Sequence, residues 1–150
     1  MVSQAVAHFR AYFSVRGMYE NHMYEGIPTL LGELRTGTRR LVVVTSKPTV
    51  FAEKILEHFG IRPCFDDVVG SQLDGTRSTK TDVIACALRR YPGVRDAVMI
   101  GDRVQDVIGA QDHAMDSIAV AYGYGSLAEL RKAQPTYLAN TLDEIGQFVG

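Results

Sequence analysis

Aspartate is absent from the first forty residues of this 150-residue chain. Cysteine is scarce as well. Cys64 and Cys86 stand far apart without metal-ligand spacing, which argues against a disulfide-stapled secreted domain and fits a reducing, cytoplasmic setting. Both read as buried thiols. Neither charge is in excess: the formal net charge is −1, and scattered Lys and Arg offer no continuous basic patch for nucleic acid or an anionic membrane. Long apolar runs are also missing. The amino-terminal "MVSQAVAHFRAYF" is broken by Gln4, His8 and Arg10, so neither a signal peptide nor a membrane span is expected. What is left is about one domain's length of chain with an ordinary apolar fraction, expected to be soluble and to act on something small.

Hydrophobic spacing organises that length. Val2, Val6, Phe9 and Phe13 predict an amphipathic helix over 2–16 that ends at Gly17, and a second helix is expected from Pro28 to Leu34. "RRLVVVT" is a basic flank followed by a β-branched run, the pattern of a strand buried on both faces of a parallel sheet, stopping at Thr45. Phe51, Ile55, Leu56 and Phe59 then repeat at helical spacing up to Gly60, with Pro48 suited to the first turn. A strand at 67–69, a helix over about 79–91, the strand "DAVMIGD", a helix over about 104–113, the strand "SIAVAYG" and a helix at 126–133 follow. Such β-α-β alternation predicts an α/β, Rossmann-like fold, a parallel sheet with helices on both faces. Ligands of such sheets sit at the carboxyl ends of the strands.

Three loops after strands carry chemistry. In "VVVTSKP", Thr45 and Ser46 either lead into a helix whose free amides would favour an anion or serve as capping hydroxyls. In "RSTKTDVIACAL", Ser78 or Thr79 can cap a helix that puts Lys80 in its first turn, where the macrodipole disfavours a cation. Lys80 is then either a solvated surface lysine or a charge pointing back over the strand ends toward a phosphoryl oxygen. In "MIGDRVQD", Asp102 leaves the strand after Gly101, and Asp106 follows one helical turn later on the same face. Two such carboxylates suit Mg2+; the plainer reading is an N-capping Asp102 and a solvated Asp106.

In that order, hydrophobic strand-Thr45-Ser46, then Lys80, then hydrophobic strand-Gly101-Asp102-x-x-x-Asp106, these residues resemble motifs two to four of the haloacid dehalogenase superfamily of aspartate-dependent phosphohydrolases. The phrases "YEGIPTLLGEL", "TSKPTVFAEKILEHFG", "GSQLDGTRSTK" and "MIGDRVQDVIGA" resemble its phosphoglycolate phosphatase-like branch, which includes nucleotidases. The resemblance implies an Mg2+-dependent phosphate monoester hydrolase acting on a small phosphorylated metabolite through an aspartyl-phosphate. Thr45, with Ser46, would bind the phosphoryl group; Lys80 would stabilise its charge and orient the nucleophile; Asp102 and Asp106 would hold Mg2+.

The family's Asp-x-Asp-Gly-Thr nucleophile loop precedes the threonine motif, in the stretch where this chain has no aspartate. Asp74-Gly75-Thr76 imitates its second half, but Gln72 replaces the first carboxylate and the run follows Thr45, so Asp74 reads as a turn residue. The resemblance implies that residues 1–24 are a remnant of a helical cap and hinge, that 25–150 are the core domain, and that the chain is the carboxyl-terminal part of a longer enzyme. The isolated chain is expected to be inactive. Without a central nucleophile strand, the strands ending at Thr45 and Asp102 should stand about 10 Å apart with a vacant lane, or have that lane taken by another segment or chain; direct pairing at about 4.8 Å would show instead that the sheet has closed up. Exposed edges would favour self-association.

Two other readings compete. The same residues could form a non-catalytic module that binds a phosphate or a partner. "GYGSLA" at 123–128 with Asp143 about 20 residues on has the form of a dinucleotide fingerprint, but it stands near the end, with too little chain after it for a β-α-β unit, and Asp143 reads as opening a terminal helix. His8, His22, His58 and His113 show no ligand pairing and read as surface or helix-packing residues.

Overall fold

A computed structural model of the chain describes residues 26–35, 39–72, 74, 79–94, 96–121 and 126–149. The helix expected over 2–16, the cap remnant and hinge at 1–24, and the glycines at 123 and 125 lie outside these residues.

Five strands and six helices alternate along the described chain. Helix α1 (Ile27–Leu34) starts with Pro28 in its first turn, where an amide is not needed, and presents Ile27, Leu30, Leu31 and Leu34 to the core. Strand β1 (Val42–Pro48) pairs in parallel with β2 (Asp67–Ser71), with α2 (Thr49–His58) as the crossover. Helix α3 (Lys80–Arg90) then leads to β3 (Val98–Gly101), which pairs with β4 (Asp116–Val120) after α4 (Val104–Asp112). Helix α5 (Leu127–Ala133) returns the chain to β5 (Tyr137–Ala139), beside β4, and α6 (Leu142–Val149) packs back on α1. All pairings are parallel, as continuous runs such as Val42–Val44 require when both faces are covered.

The order is β1-β2 in one sheet and β3-β4-β5 in another. Among the described residues, β1 and β3 share no hydrogen-bonded ladder, so the sheet has not closed up between them. Apolar packing joins the two parts instead. One cluster gathers Val43, Val68, Ile100, Ile118, Leu31 and Ile145 from both sheets and the α1–α6 layer. On the other face, Val44, Val69, Ile84, Met99 and Ala110 do the same beneath α3 and α4. Fully burying each of these Val, Leu, Ile and Met side chains stabilises by about 1.5–3 kcal/mol, and this attraction needs no strand-to-strand register.

At the amino ends of β1 and β2, away from the strand ends described below, Arg90 Nη1 donates to both oxygens of Asp67 at 3.0 and 2.9 Å. Tyr91 Oη donates to Asp67 Oδ2 at 3.3 Å, and Arg40 lies 5.2 Å from the Tyr91 ring centre. Burial, and then the Asp67 charge, raise the Tyr91 pKa above its ordinary value. The hydrogen bond to Asp67 raises that of Arg90.

Several boundaries differ from the sequence reading. β1 continues past Thr45 to Pro48, which ends the strand and precedes α2 instead of lying in its first turn. β5 was not expected, and with β4 and α5 it completes a β-α-β unit, so the chain after residue 128 is long enough for one. Cys64 is half-buried, whereas Cys86 is buried as anticipated. Among the described residues no helix is long and apolar enough to cross a membrane.

Candidate functional site

Three segments meet at the carboxyl ends of β1 and β3. The first is a bulge. Val44 faces Val69 and the next pair is Pro48 with Ser71, so Thr45, Ser46 and Lys47 stand opposite Gly70 alone. Gly70 makes this fit possible: a Cβ there would collide with the Lys47 carbonyl and lie 2.8 Å from the Thr49 amide nitrogen. Thr49 closes the arrangement, its Oγ1 accepting from Gly70 N at 3.0 Å and donating to Ser71 O at 3.5 Å. Neither Thr45 nor Ser46 caps α2, since Pro48 occupies that position. Instead Thr45, 7% exposed, folds its Oγ1 back to accept from Lys47 N at 3.1 Å. A hydroxyl that accepts from the backbone can still give its proton to a ligand. Ser46 is exposed.

The second segment is the start of α3. Thr79 is the cap, its Oγ1 accepting from Asp82 N at 3.1 Å. Lys80 follows, and the surface reading fails for it: its side chain is 3% exposed. The ammonium lies 2.8 Å from Asp106 Oδ1 and donates to the Val44 carbonyl at 3.3 Å. An opposite charge at that distance gives on the order of 5 kcal/mol before desolvation at an effective dielectric constant near 20. The helix-dipole penalty is below about 1 kcal/mol, small beside that gross attraction.

The third segment is the turn from β3 into α4. Arg103, not Asp102, occupies the cap position, and Asp106 supplies the capping oxygen, its Oδ2 accepting from Arg103 N at 3.1 Å. Asp106 is not solvated. Both Asp102 and Asp106 are 1% exposed. The Asp106 carboxylate packs directly over Gly101, where a Cβ would overlap it. Farther along the α3–α4 contact, Thr81 Oγ1 donates to Asp112 Oδ2 at 2.7 Å, and His113 Nε2 lies 2.9 Å from the Thr81 carbonyl.

The structure therefore gathers Lys80, Asp106 and the end of β1 in direct contact, with Asp102 buried in the same turn that carries Asp106. Asp74 lies in a turn and is exposed. Asp143 lies in the first turn of α6 instead of at a strand end, so it is not placed as the acidic residue of a dinucleotide fold. Sequence reasoning missed Gly70, Thr49 and the Val44 carbonyl. A glycine inside a strand pattern signals a bulge or close backbone approach, and Gly70 carried that signal.

Two buried carboxylates, one of them paired with the Lys80 ammonium, have the donor chemistry and charge for a hard cation. Among the described residues no group of three or more His, Cys, Asp or Glu side chains could enclose a metal. Mg2+ does not need such a cage, because it commonly takes one or two carboxylates and completes its shell with water and phosphate oxygens.

Parallel strands with buried polar groups collected at their carboxyl ends define an α/β domain of the open-sheet kind. A family model described as haloacid dehalogenase-like hydrolase matches residues 2–120, and the chain belongs to that family. It is 41% identical over 150 residues to the tyrosine-protein kinase PtkA of Mycobacterium tuberculosis, covering 98% of this chain and 52% of PtkA. It is 42% identical over 147 residues to a 5'-nucleotidase of Pseudomonas aeruginosa, covering 97% of this chain and 66% of that one. Phosphoglycolate phosphatases are more distant relatives, that of Vibrio cholerae being 27% identical over 148 residues and covering 98% of this chain and 64% of that enzyme. The crystal structure of a predicted phosphatase from Clostridium acetobutylicum superposes with a TM-score of 0.84 at 48% identity, over 92% of this chain and 64% of that chain. The chain thus spans about half to two thirds of the length of these relatives.

Proposed function

We propose that this chain carries the phosphate- and Mg2+-gripping part of a phosphate monoester hydrolase and that by itself it binds without turning substrate over. The observation that carries the reading is the buried Lys80–Asp106 pair at the strand ends, joined to the end of β1 by the Val44 carbonyl. Keeping three charged groups dry is costly unless each has work there. Thr45 would donate its hydroxyl proton to a phosphoryl oxygen, and Lys80 would place its positive charge beside the same group. Asp102, helped by Asp106, would hold Mg2+, which when bound supplies further charge against the phosphate. Nucleophilic attack requires another carboxylate. The buried polar residues described are Thr45, Ser71, Lys80, Asp102, Asp106 and Ser117, and both of these aspartates are already assigned to the cation.

Relatives named a 5'-nucleotidase and phosphoglycolate phosphatases support nucleoside monophosphates and phosphoglycolate as the esters to try. PtkA, named a tyrosine kinase, is equally similar, so identity alone does not choose the acceptor of the phosphoryl group. The test is calorimetric titration of the pure chain with inorganic phosphate and AMP, with and without Mg2+, beside a phosphatase assay on AMP and phosphoglycolate. Mg2+-dependent binding that Lys80→Met abolishes, with no hydrolysis, is expected. Metal-dependent hydrolysis by the 150-residue chain would refute the inactivity, and absence of any phosphate binding would refute the site.

A further inference from the structure

Helix α4 faces α3 with an unusual surface. Asp106 reaches Lys80 at 2.8 Å, and Asp112 and His113, two turns on, hold Thr81. Between them, three residues after Asp106 and so on the same side of the helix, stands Gly109. A glycine inside a helix is normally a weakness, because alanine is better there by roughly 0.8–1.0 kcal/mol in intrinsic propensity. Here a Cβ would lie 2.8 Å from Ile84 Cδ1 and 3.1 Å from Lys80 Cγ. The bare backbone at 109 is the floor on which the Lys80 stem rests.

We propose that Gly109 is a positioning residue for Lys80. Having no side chain, it lets α3 settle onto α4 until the aliphatic stem crosses the helix and the ammonium is delivered between the Asp106 carboxylate and the Val44 carbonyl. A methyl at 109 meets two neighbours. The Ile84 methyl group ends a flexible side chain that can turn away. Lys80 Cγ is held at both ends, by the start of α3 on one side and by the Nζ contacts on the other, so it yields by carrying the ammonium with it. What this means for phosphate rests on the function proposed above, whereas the positioning itself is read without any ligand.

Amine labelling tests it. The folded chain is treated briefly with acetic anhydride and each lysine is followed by mass spectrometry, with exposed Lys54 as the internal standard. In the wild-type chain Lys80 should be strongly protected. In Gly109→Ala its rate relative to Lys54 should rise about tenfold as the buried amine is displaced, and the melting temperature should fall although the substitution favours helix. The double variant I84V/G109A lacks the Ile84 Cδ1 atom, so it decides between the two contacts and serves alone if G109A folds poorly. Continued exposure of Lys80 in the double variant supports the inference; recovery of wild-type protection there means that Gly109 serves only Ile84 and overturns it. Titration of the wild-type chain with inorganic phosphate and Mg2+ keeps the two proposals apart, because failure there refutes the phosphate site while the labelling result stands.

Discussion

Lys80 and Asp106 meet at 2.8 Å with side chains 3% and 2% exposed, although one begins α3 and the other lies in the first turn of α4. Breaking a buried pair leaves a charge without compensation, at a cost of about 3–5 kcal/mol. Lys80→Met and Asp106→Leu should each destabilise by that order in urea unfolding. The double variant should cost clearly less than the two combined, because neither charge is then left behind. Additive losses across the cycle would mean that the pair is not coupled.

Cation binding should reveal itself as stabilisation. With Mg2+ at about a hundred times its dissociation constant, the folded state gains about 2.7 kcal/mol, and for a domain of this size the melting temperature should rise by about 5–10 °C. Asp102→Asn should abolish the rise while leaving the metal-free chain folded. An equal Mg2+ shift in both proteins would place the cation elsewhere.

The bulge makes Gly70 intolerant. Gly70→Ala drives a methyl into the Lys47 carbonyl and the Thr49 amide, overpacking that should cost about 1–3 kcal/mol and disturb the loop bearing Thr45. Thr49→Val keeps the shape but removes the acceptor for the Gly70 amide, which should cost about 1–3 kcal/mol if that donor stays buried. Thermal unfolding measures both, and phosphate titration asks whether the loop still binds. A Gly70→Ala chain with wild-type stability would contradict the packing described.

Alkaline stability should depend on Tyr91. Its folded pKa is raised above 10.0, first by burial and then by Asp67, so folding favours the protonated phenol. That contribution is complete below the unfolded value of 10.0 and is lost as pH climbs through the higher folded value. Unfolding free energy should therefore fall between these two pH values, and Tyr91→Phe should flatten that part of the profile. An unchanged alkaline slope in the variant would assign the loss to other groups.

Much of this was written locally. Val42–Val44 announces a strand buried on both faces, and Gly101-Asp102 with Asp106 one turn on places two carboxylates at a strand end by spacing alone. Thr45–Pro48 was harder. Thr45, Ser46 and Lys47 are polar and Pro48 is a strand breaker, so hydrophobic period could not show that the backbone goes on pairing after the apolar run stops. β5 is three residues long, too short to display alternation. The burial of Lys80 was illegible for another reason: it depends on Asp106 from a different helix and on a main-chain oxygen of β1, and a carbonyl leaves no trace in the choice of its own side chain. Gly109 was in view as a letter but not as a space, since only the approach of α3 gives its missing Cβ a meaning.

The separation into β1-β2 and β3-β4-β5 has a mechanical consequence. Among the described residues Thr45 belongs to one leaf and the turn bearing Asp102 to the other, and what spans them is apolar packing and the Lys80 side chain, not a hydrogen-bonded ladder. A methyl added or removed at Val44 or Met99, in the filling between the leaves, should therefore shift the residues of the proposed site relative to one another from beneath, without altering any of their polar side chains.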